Sequence, residues 1–263
     1  CIPAQRLGSS STLYVVIDDL ASCPCCGSSC IVYGDPHITV FDSNEITLLA
    51  VDGHHHGRNH PATHGDFRTG DFWLVKSELV YVQARYGTVK YTGTKKKFEN
   101  RTYLTGLAVG GPFLQGNTLL IGPQVGRVDW ITEDGDTQQI LQQPGFFKAD
   151  DLVEVHFREH SLKVTDRHET TPGLYIHLPS GVKMEVNRYQ KHLDLALTMN
   201  EASGGPGGVD GQCGNLNGDP SDDTSALISK RVGFQIPASD LLFPKHMPHA
   251  PKTSVHEAIH AAE

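Results

Sequence analysis

The sequence predicts an all-β chain, a two-sheet antiparallel β-sandwich with a short helix at its C-terminal end. Three observations predict it. Short runs rich in Val, Ile, Leu, Tyr and Phe recur along most of the 263 residues. Several alternate apolar and polar side chains, the period of two that marks a strand buried on one side. The 27 glycines and 15 prolines supply turns between such strands and suit a helical protein poorly.

In chain order the expected strands are Leu13–Ile17, Ile38–Phe41, Ile46–Val51, Phe72–Val75, Leu79–Ala84 and Thr118–Ile121, then Leu152–Phe157, Leu174–Leu178, Val182–Val186 and Leu193–Met199. Val153-Glu154-Val155-His156-Phe157 shows the alternation most plainly. Turn signals at Glu133-Asp134-Gly135 and Pro179-Ser180-Gly181 separate neighbours, and Gly110-Gly111-Pro112 punctuates the middle of the chain. With no internal repeat and no long helical period before the end, sheet packed on sheet is the arrangement that buries these strands. Residues 1–27 form a Cys-rich extension, 28–240 the β domain, and 241–263 a linker with Pro and His leading to a short helix. There Ser254 and Glu257 form a capping box.

A formal charge of −8 and a pI near 6.0 weigh against nucleic acid or an anionic membrane as the main partner. No uninterrupted apolar run of about 18 residues offers a membrane-spanning helix. The sequence starts at Cys1 without a leader segment and is read as an excised or mature piece of a longer secreted precursor. Its cysteines are Cys1, Cys23, Cys25, Cys26, Cys30 and Cys213, an even and clustered set that suits disulfides in an oxidising compartment. Asn100-Arg101-Thr102 makes Asn100 a candidate glycan site, in keeping with a secreted, extracellular location.

The densest chemistry lies in Cys213-Gly214-Asn215-Leu216-Asn217-Gly218-Asp219-Pro220-Ser221-Asp222-Asp223. Side-chain oxygens fall at Asn215, Asn217 and Asp219, every second residue, and again at Asp222 and Asp223. Calcium takes six to eight oxygens in a flexible shell, and a tight loop with alternating oxygens can wrap it. Gly218 permits the sharp bend such wrapping needs. On loop chemistry alone, an acidic surface turn of the Asx type is an equal alternative.

Cys30-Ile31-Val32-Tyr33-Gly34-Asp35-Pro36-His37-Ile38-Thr39-Val40-Phe41-Asp42 resembles the opening of a von Willebrand factor type D domain, and Cys213–Asp223 resembles the closing CGNxNGDxxDD motif of the same family. Their order, and the 173 positions from Asp42 to Asn215, are those of such domains. The resemblance covers roughly residues 28–240. It implies the sandwich of that family and one Ca2+ shared between the motifs. The ligands it implies are the side chains of Asp42, Asn215, Asn217, Asp222 and Asp223 and the backbone carbonyl of Asp219. It also implies a Cys30–Cys213 disulfide, whose long loop would stabilise by roughly 4–5 kcal/mol through chain entropy. Many members read Cys-Gly-Leu-Cys-Gly-Asn where this chain has Asp210-Gly211-Gln212-Cys213-Gly214-Asn215, so one cysteine is missing. None follows Cys213, and mucin-type covalent polymers are not expected. The four remaining cysteines allow three pairings. Cys1 is expected to reach the cluster, with a short local bridge from Cys23. A redox pair or zinc ligands within Cys23-Pro24-Cys25-Cys26 is the alternative.

Gly34-Asp35-Pro36-His37 is a candidate self-cleavage site, since some members of the family break there in mild acid. The Asp35 carboxyl would attack its own carbonyl, the Pro36 nitrogen would leave, and His37 would carry the proton. The alternative is that these residues only open the first strand. His256-Glu257-Ala258-Ile259-His260 matches the HExxH zinc pattern, but a third ligand is usual downstream, where only three more residues follow. His54, His55, His56, His60 and His64 form a histidine-rich loop able to take a transition metal or sense pH, and equally read as a solvated insertion. No catalytic dyad or triad stands out, and the chain is not expected to be an enzyme. The expected function is a calcium-stabilised structural or interaction module of a secreted matrix, mucus, adhesion or surface-filament protein. Its partners would be other extracellular proteins or copies of itself. The alternative is an accessory domain of a secreted enzyme or of a lipid- or ligand-carrying precursor, with autocleavage at Asp35-Pro36.

Overall fold

A computed structural model describes residues 27–34, 37–42, 45–47, 69–89, 102–140, 145–158, 171–223 and 236–244. Nearly all of their regular structure is strand: β1 (Ser28–Tyr33), β2 (His37–Thr39), β3 (Glu45–Thr47), β4 (Gly70–Ser77), β5 (Tyr81–Thr88), β6 (Thr102–Gly110), β7 (Thr118–Ile121), β8 (Val128–Ile131), β9 (Thr137–Gln139), β10 (Gly145–Ala149), β11 (Val153–Arg158), β12 (Gly173–His177), β13 (Lys183–Arg188), β14 (Leu193–Met199) and β15 (Val209–Asp210). One sheet has eight strands in the order β10-β11-β12-β13-β14-β1-β2-β3, and the other has seven in the order β15-β4-β5-β6-β7-β8-β9. Every pairing is antiparallel.

Alternation explains the layering. Leu193, Leu195, Leu197 and Met199 of β14 all point inward, beside Cys30 and Val32 of β1 and Met184 and Val186 of β13. They meet Leu74, Val82, Leu104, Leu107, Leu119 and Ile121 of the other sheet in one continuous core. The result is sandwich-like, two antiparallel sheets face to face.

Two expected strands differ in position from the observed ones for local reasons. Leu79 and Val80 belong to a turn, because the Ser77 hydroxyl accepts both of their N–H groups, and β5 therefore starts at Tyr81. Val40 and Phe41 leave the sheet after Thr39, since the Phe41 N–H donates to the Cys213 carbonyl. In β3 the described strand starts at Glu45, and residues 48–51 lie outside the described set. The expected Leu13–Ile17 strand and the C-terminal helix also lie outside it. Among the described residues the one α-helix, α1 (Glu201–Gly204), is a single turn with an Asn200/Ser203 capping box.

Sequence reading missed β1, β6, β8, β9, β10 and β15. The longest of them, β6, is buried on both faces. Leu104, Leu107 and Val109 face the core, while Ala108 faces outward under Leu242 and Phe243. A strand covered on both sides shows no polar alternation. Residues 241–243, read from the sequence as the start of a linker, pack on this outer face.

One buried cation fastens an end of the sandwich. Arg188 of β13 is 1% exposed, and its guanidinium donates to the carbonyls of Gly122 (2.7 Å), Pro123 (2.7 Å) and Gly126 (3.3 Å). It thereby holds the β7–β8 turn of one sheet onto the other.

Candidate metal centre

The two sequence motifs meet where the sheets are clasped together. After β15 the chain runs beside β4, with the Gln212 N–H donating to the Trp73 carbonyl and the Cys213 N–H to the Leu74 carbonyl, each at 3.0 Å. A disulfide joins Cys213 to Cys30 of β1, with Cα atoms 5.5 Å apart, and both residues are fully buried. The segment is thus tied by main-chain bonds to one sheet and by a covalent bond to the other. The Tyr86 hydroxyl, whose ionisation burial pushes far above its ordinary range, lies 3.0 Å from Gln212 Oε1.

From this clasp the loop winds tightly. Gly214 and Gly218 have φ of 87° and 78°, and Leu216 between them has φ 56°. A left-handed leucine is unfavourable by roughly 1–2 kcal/mol, yet its side chain is buried in the core and anchors the loop from beneath. With Leu216 turned inward, Asn215 and Asn217 flank it.

Asp42 reaches this loop from the end of the first motif. Its Oδ2 accepts the Asn217 N–H at 3.2 Å and its Oδ1 the Gly218 N–H at 3.0 Å. Two successive backbone N–H groups around a carboxylate form a small anion-binding nest. On the other side of the loop, Asp222 Oδ2 accepts the side-chain amides of Asn215 (2.9 Å) and Asn217 (3.0 Å). Asn217 Oδ1 in turn accepts the Asp219 N–H at 2.7 Å. The Asp219 carboxylate caps the following turn, its Oδ1 accepting the N–H and the hydroxyl of Ser221 at 2.9 and 2.7 Å. Asp223 is fully buried, with its carboxylate against Gly214; a Cβ at Gly214 would stand 2.1 Å from Asp223 Oδ2.

The structure therefore brings Asp42, Asn215, Asn217, Asp219, Asp222 and Asp223 into one neighbourhood. Asp42, Asn217, Asp219 and Asp222 are held there by hydrogen bonds from the loop's own donors. Among the described residues, no three His, Cys, Asp or Glu side chains are gathered as a ready metal-binding group. The donor chemistry nevertheless suits a hard cation. Three carboxylates and two amide oxygens share a short loop with no Lys, Arg or His between residues 213 and 223, and Asp42 adds a fourth carboxylate from the first motif. Asn215 Oδ1 is buried and accepts no hydrogen bond. Such an oxygen calls for a partner, and an ion is one of the few that fit.

Sequence reading found the side chains but not the backbone donors of Asn217 and Gly218, nor the anchoring role of Leu216. These depend on φ and ψ, and only the glycines at 214 and 218 hinted at them. Of the candidate cleavage residues, His37 is described and stacks on Tyr33 with centroids 5.2 Å apart, while the Gly34 N–H donates to Asp194 Oδ1 at 3.1 Å. Asp35 and Pro36 lie outside the described residues. So do Asn100, Cys1, Cys23, Cys25, Cys26, the His54–His64 loop, His256 and His260.

A scan against models of known protein families matches none of them, and a search of curated proteins returns no match. No helix among the described residues is long and apolar enough to cross a membrane.

Proposed function

We propose that this chain is an extracellular, calcium-stabilised β module of the von Willebrand factor type D kind, serving as a structural and interaction unit of a secreted matrix, mucus, adhesion or surface-filament protein. The observation that carries the reading is the meeting of Asp42 with the Asn215–Asp223 loop, next to the Cys30–Cys213 disulfide. The side chains of Asp42, Asn215, Asn217, Asp222 and Asp223 hold the ion, together with the Asp219 carbonyl. The buried, unbonded Asn215 Oδ1 supports this assignment. When bound, Ca2+ supplies positive charge to a loop that has no basic residue of its own.

The protein's part is positional. Leu216 pins the loop to the core, the disulfide and the Phe41–Cys213 hydrogen bond hold the two motifs side by side, and Asp42 closes over the top. Such a site keeps geometry and turns over no substrate. A buried disulfide also supports an oxidising compartment. Its partners are other extracellular proteins or copies of itself. Calorimetric titration of the native chain with Ca2+ after chelator treatment tests the reading. One site per chain, lost in Asp42→Ala, is expected; absence of any binding heat at micromolar to millimolar Ca2+ would remove the ion from the account.

A further inference from the structure

The segment from Ile236 to Phe243 runs across the outward face of the seven-stranded sheet, and that face holds it as it would hold a peptide. The Ile236 N–H donates to the Asp71 carbonyl at 3.0 Å. Gln83 of β5, which is fully buried, donates through Nε2 to the Asp240 carbonyl at 2.7 Å and accepts the Leu242 N–H on Oε1 at 2.9 Å. Those two groups sit two residues apart on one side of the segment. The side-chain amide of Gln83 thus takes the place of a peptide group in a neighbouring strand. Phe243 is 3% exposed and seats against Ala108 and Leu120, with Ile131, Leu241 and Leu242 around it. The Arg85 guanidinium lies 4.2 Å from the Phe243 ring centre and is itself held by a two-point pair with Asp71 at 2.7 and 3.0 Å. Lys76 approaches Asp240 to 3.6 Å at the rim.

A buried glutamine whose donor and acceptor are both used by another segment's backbone is unfavourable to leave uncovered. Main-chain pairing through Gln83 and a seat for one aromatic ring are the means by which a sheet face reads an extended peptide. We propose that this face is a peptide-recognition surface, and that it takes the Ile236–Phe243 segment of a second copy of the chain as well as its own. Each copy carries the matching segment, so exchange keeps every contact and needs no new complementarity. Twelve residues separate Asp223 from Ile236. At no more than about 3.3–3.6 Å each, they reach on the order of 40 Å, the scale of a neighbouring copy. The balance between own and exchanged segment then follows effective concentration, so exchange grows as the protein approaches the millimolar range. This surface shares no residue with the candidate metal centre and needs no Ca2+.

The test uses the full chain and a fluorescein-labelled peptide of residues 235–244. Phe243→Ala loosens the chain's own segment, and anisotropy should show the peptide binding it at least about ten-fold more tightly than the native chain. Adding Gln83→Ala should abolish that binding. Leu241→Ala, which trims a half-buried side chain, replaces Phe243→Ala if that variant does not fold. For the native chain, light scattering should show a dimer whose fraction rises with protein concentration and falls when excess unlabelled peptide is added. Absence of peptide binding to a folded loosened variant, binding insensitive to Gln83→Ala, or peptide binding with no dimer at any concentration would each overturn the proposal.

Discussion

Asp42 Oδ1 accepts the backbone N–H of Gly218 at 3.0 Å across 176 positions of sequence. This bond depends on a loop wound through left-handed residues, for an extended backbone would not turn two successive N–H groups toward one carboxylate. Chemistry at this end of the sandwich is thus set by the backbone as much as by the side chains.

The two loop glycines separate strain from space. Gly214→Ala meets both an unfavourable φ and the buried Asp223 carboxylate, whereas Gly218→Ala meets the φ alone, with nothing within 4 Å of the new Cβ. Urea unfolding should show Gly218→Ala losing about 1–2 kcal/mol and Gly214→Ala clearly more, on the order of 3 kcal/mol or above. Equal losses would mean that Asp223 yields easily and does not shape the loop.

The Cys30–Cys213 bond spans 183 positions. Replacing both cysteines with alanine should destabilise by about 4–5 kcal/mol, chiefly by freeing the unfolded chain. Denaturant unfolding of the double variant measures it. A loss below about 1 kcal/mol would show that the clasp is held by its hydrogen bonds alone.

Arg188 illustrates a buried cation held by carbonyls. Burial lowers its pKa to about 10, and its forked donors satisfy three turn carbonyls. Lysine keeps the charge but not the fork. Arg188→Lys should therefore destabilise by about 2–3 kcal/mol, with faster amide exchange at Gly126 and Gln124. An unchanged urea midpoint would show that the turn does not need the fork.

On β11, Glu154 Oε1 lies 2.5 Å from His156 Nε2. That hydrogen bond is the largest cause holding the Glu154 carboxyl below its ordinary range, with the charges of His156, His177 and Lys148 assisting and desolvation opposing. A depressed folded pKa means that the pair's contribution is present above the unfolded value of about 4.3 and is lost as pH falls through the folded one. A side-chain NMR titration should place the Glu154 midpoint below 4.3, roughly the model-peptide value, and His156→Ala should return it there. A midpoint that ignores the substitution would contradict this pairing.

Legibility in the sequence followed how directly side chains report structure. β14 could be read because Leu193, Leu195, Leu197 and Met199 alternate with smaller or polar residues. β6 could not, because Thr102-Tyr103-Leu104-Thr105-Gly106-Leu107-Ala108-Val109-Gly110 is covered on both faces and loses the period of two. In the candidate centre, the oxygen-bearing residues stood out by spacing. The Asn217 N–H facing Asp42 and the inward turn of Leu216 did not, since backbone conformation at a non-glycine leaves no mark in composition. Gln83 looked like any polar strand residue. Its burial arises only because a segment more than 150 positions away lies over it.

Thermal unfolding with and without a chelator reports whether Ca2+ joins Asp42 to the Asn215–Asp223 loop. Binding to the folded state alone stabilises by about 2.7 kcal/mol at a free concentration one hundred times Kd. The native chain should therefore melt several degrees higher in saturating Ca2+ than in chelator, and Asp42→Ala should show no such difference. Identical melting of the native chain in both conditions would mean that Ca2+ does not join Asp42 to the loop.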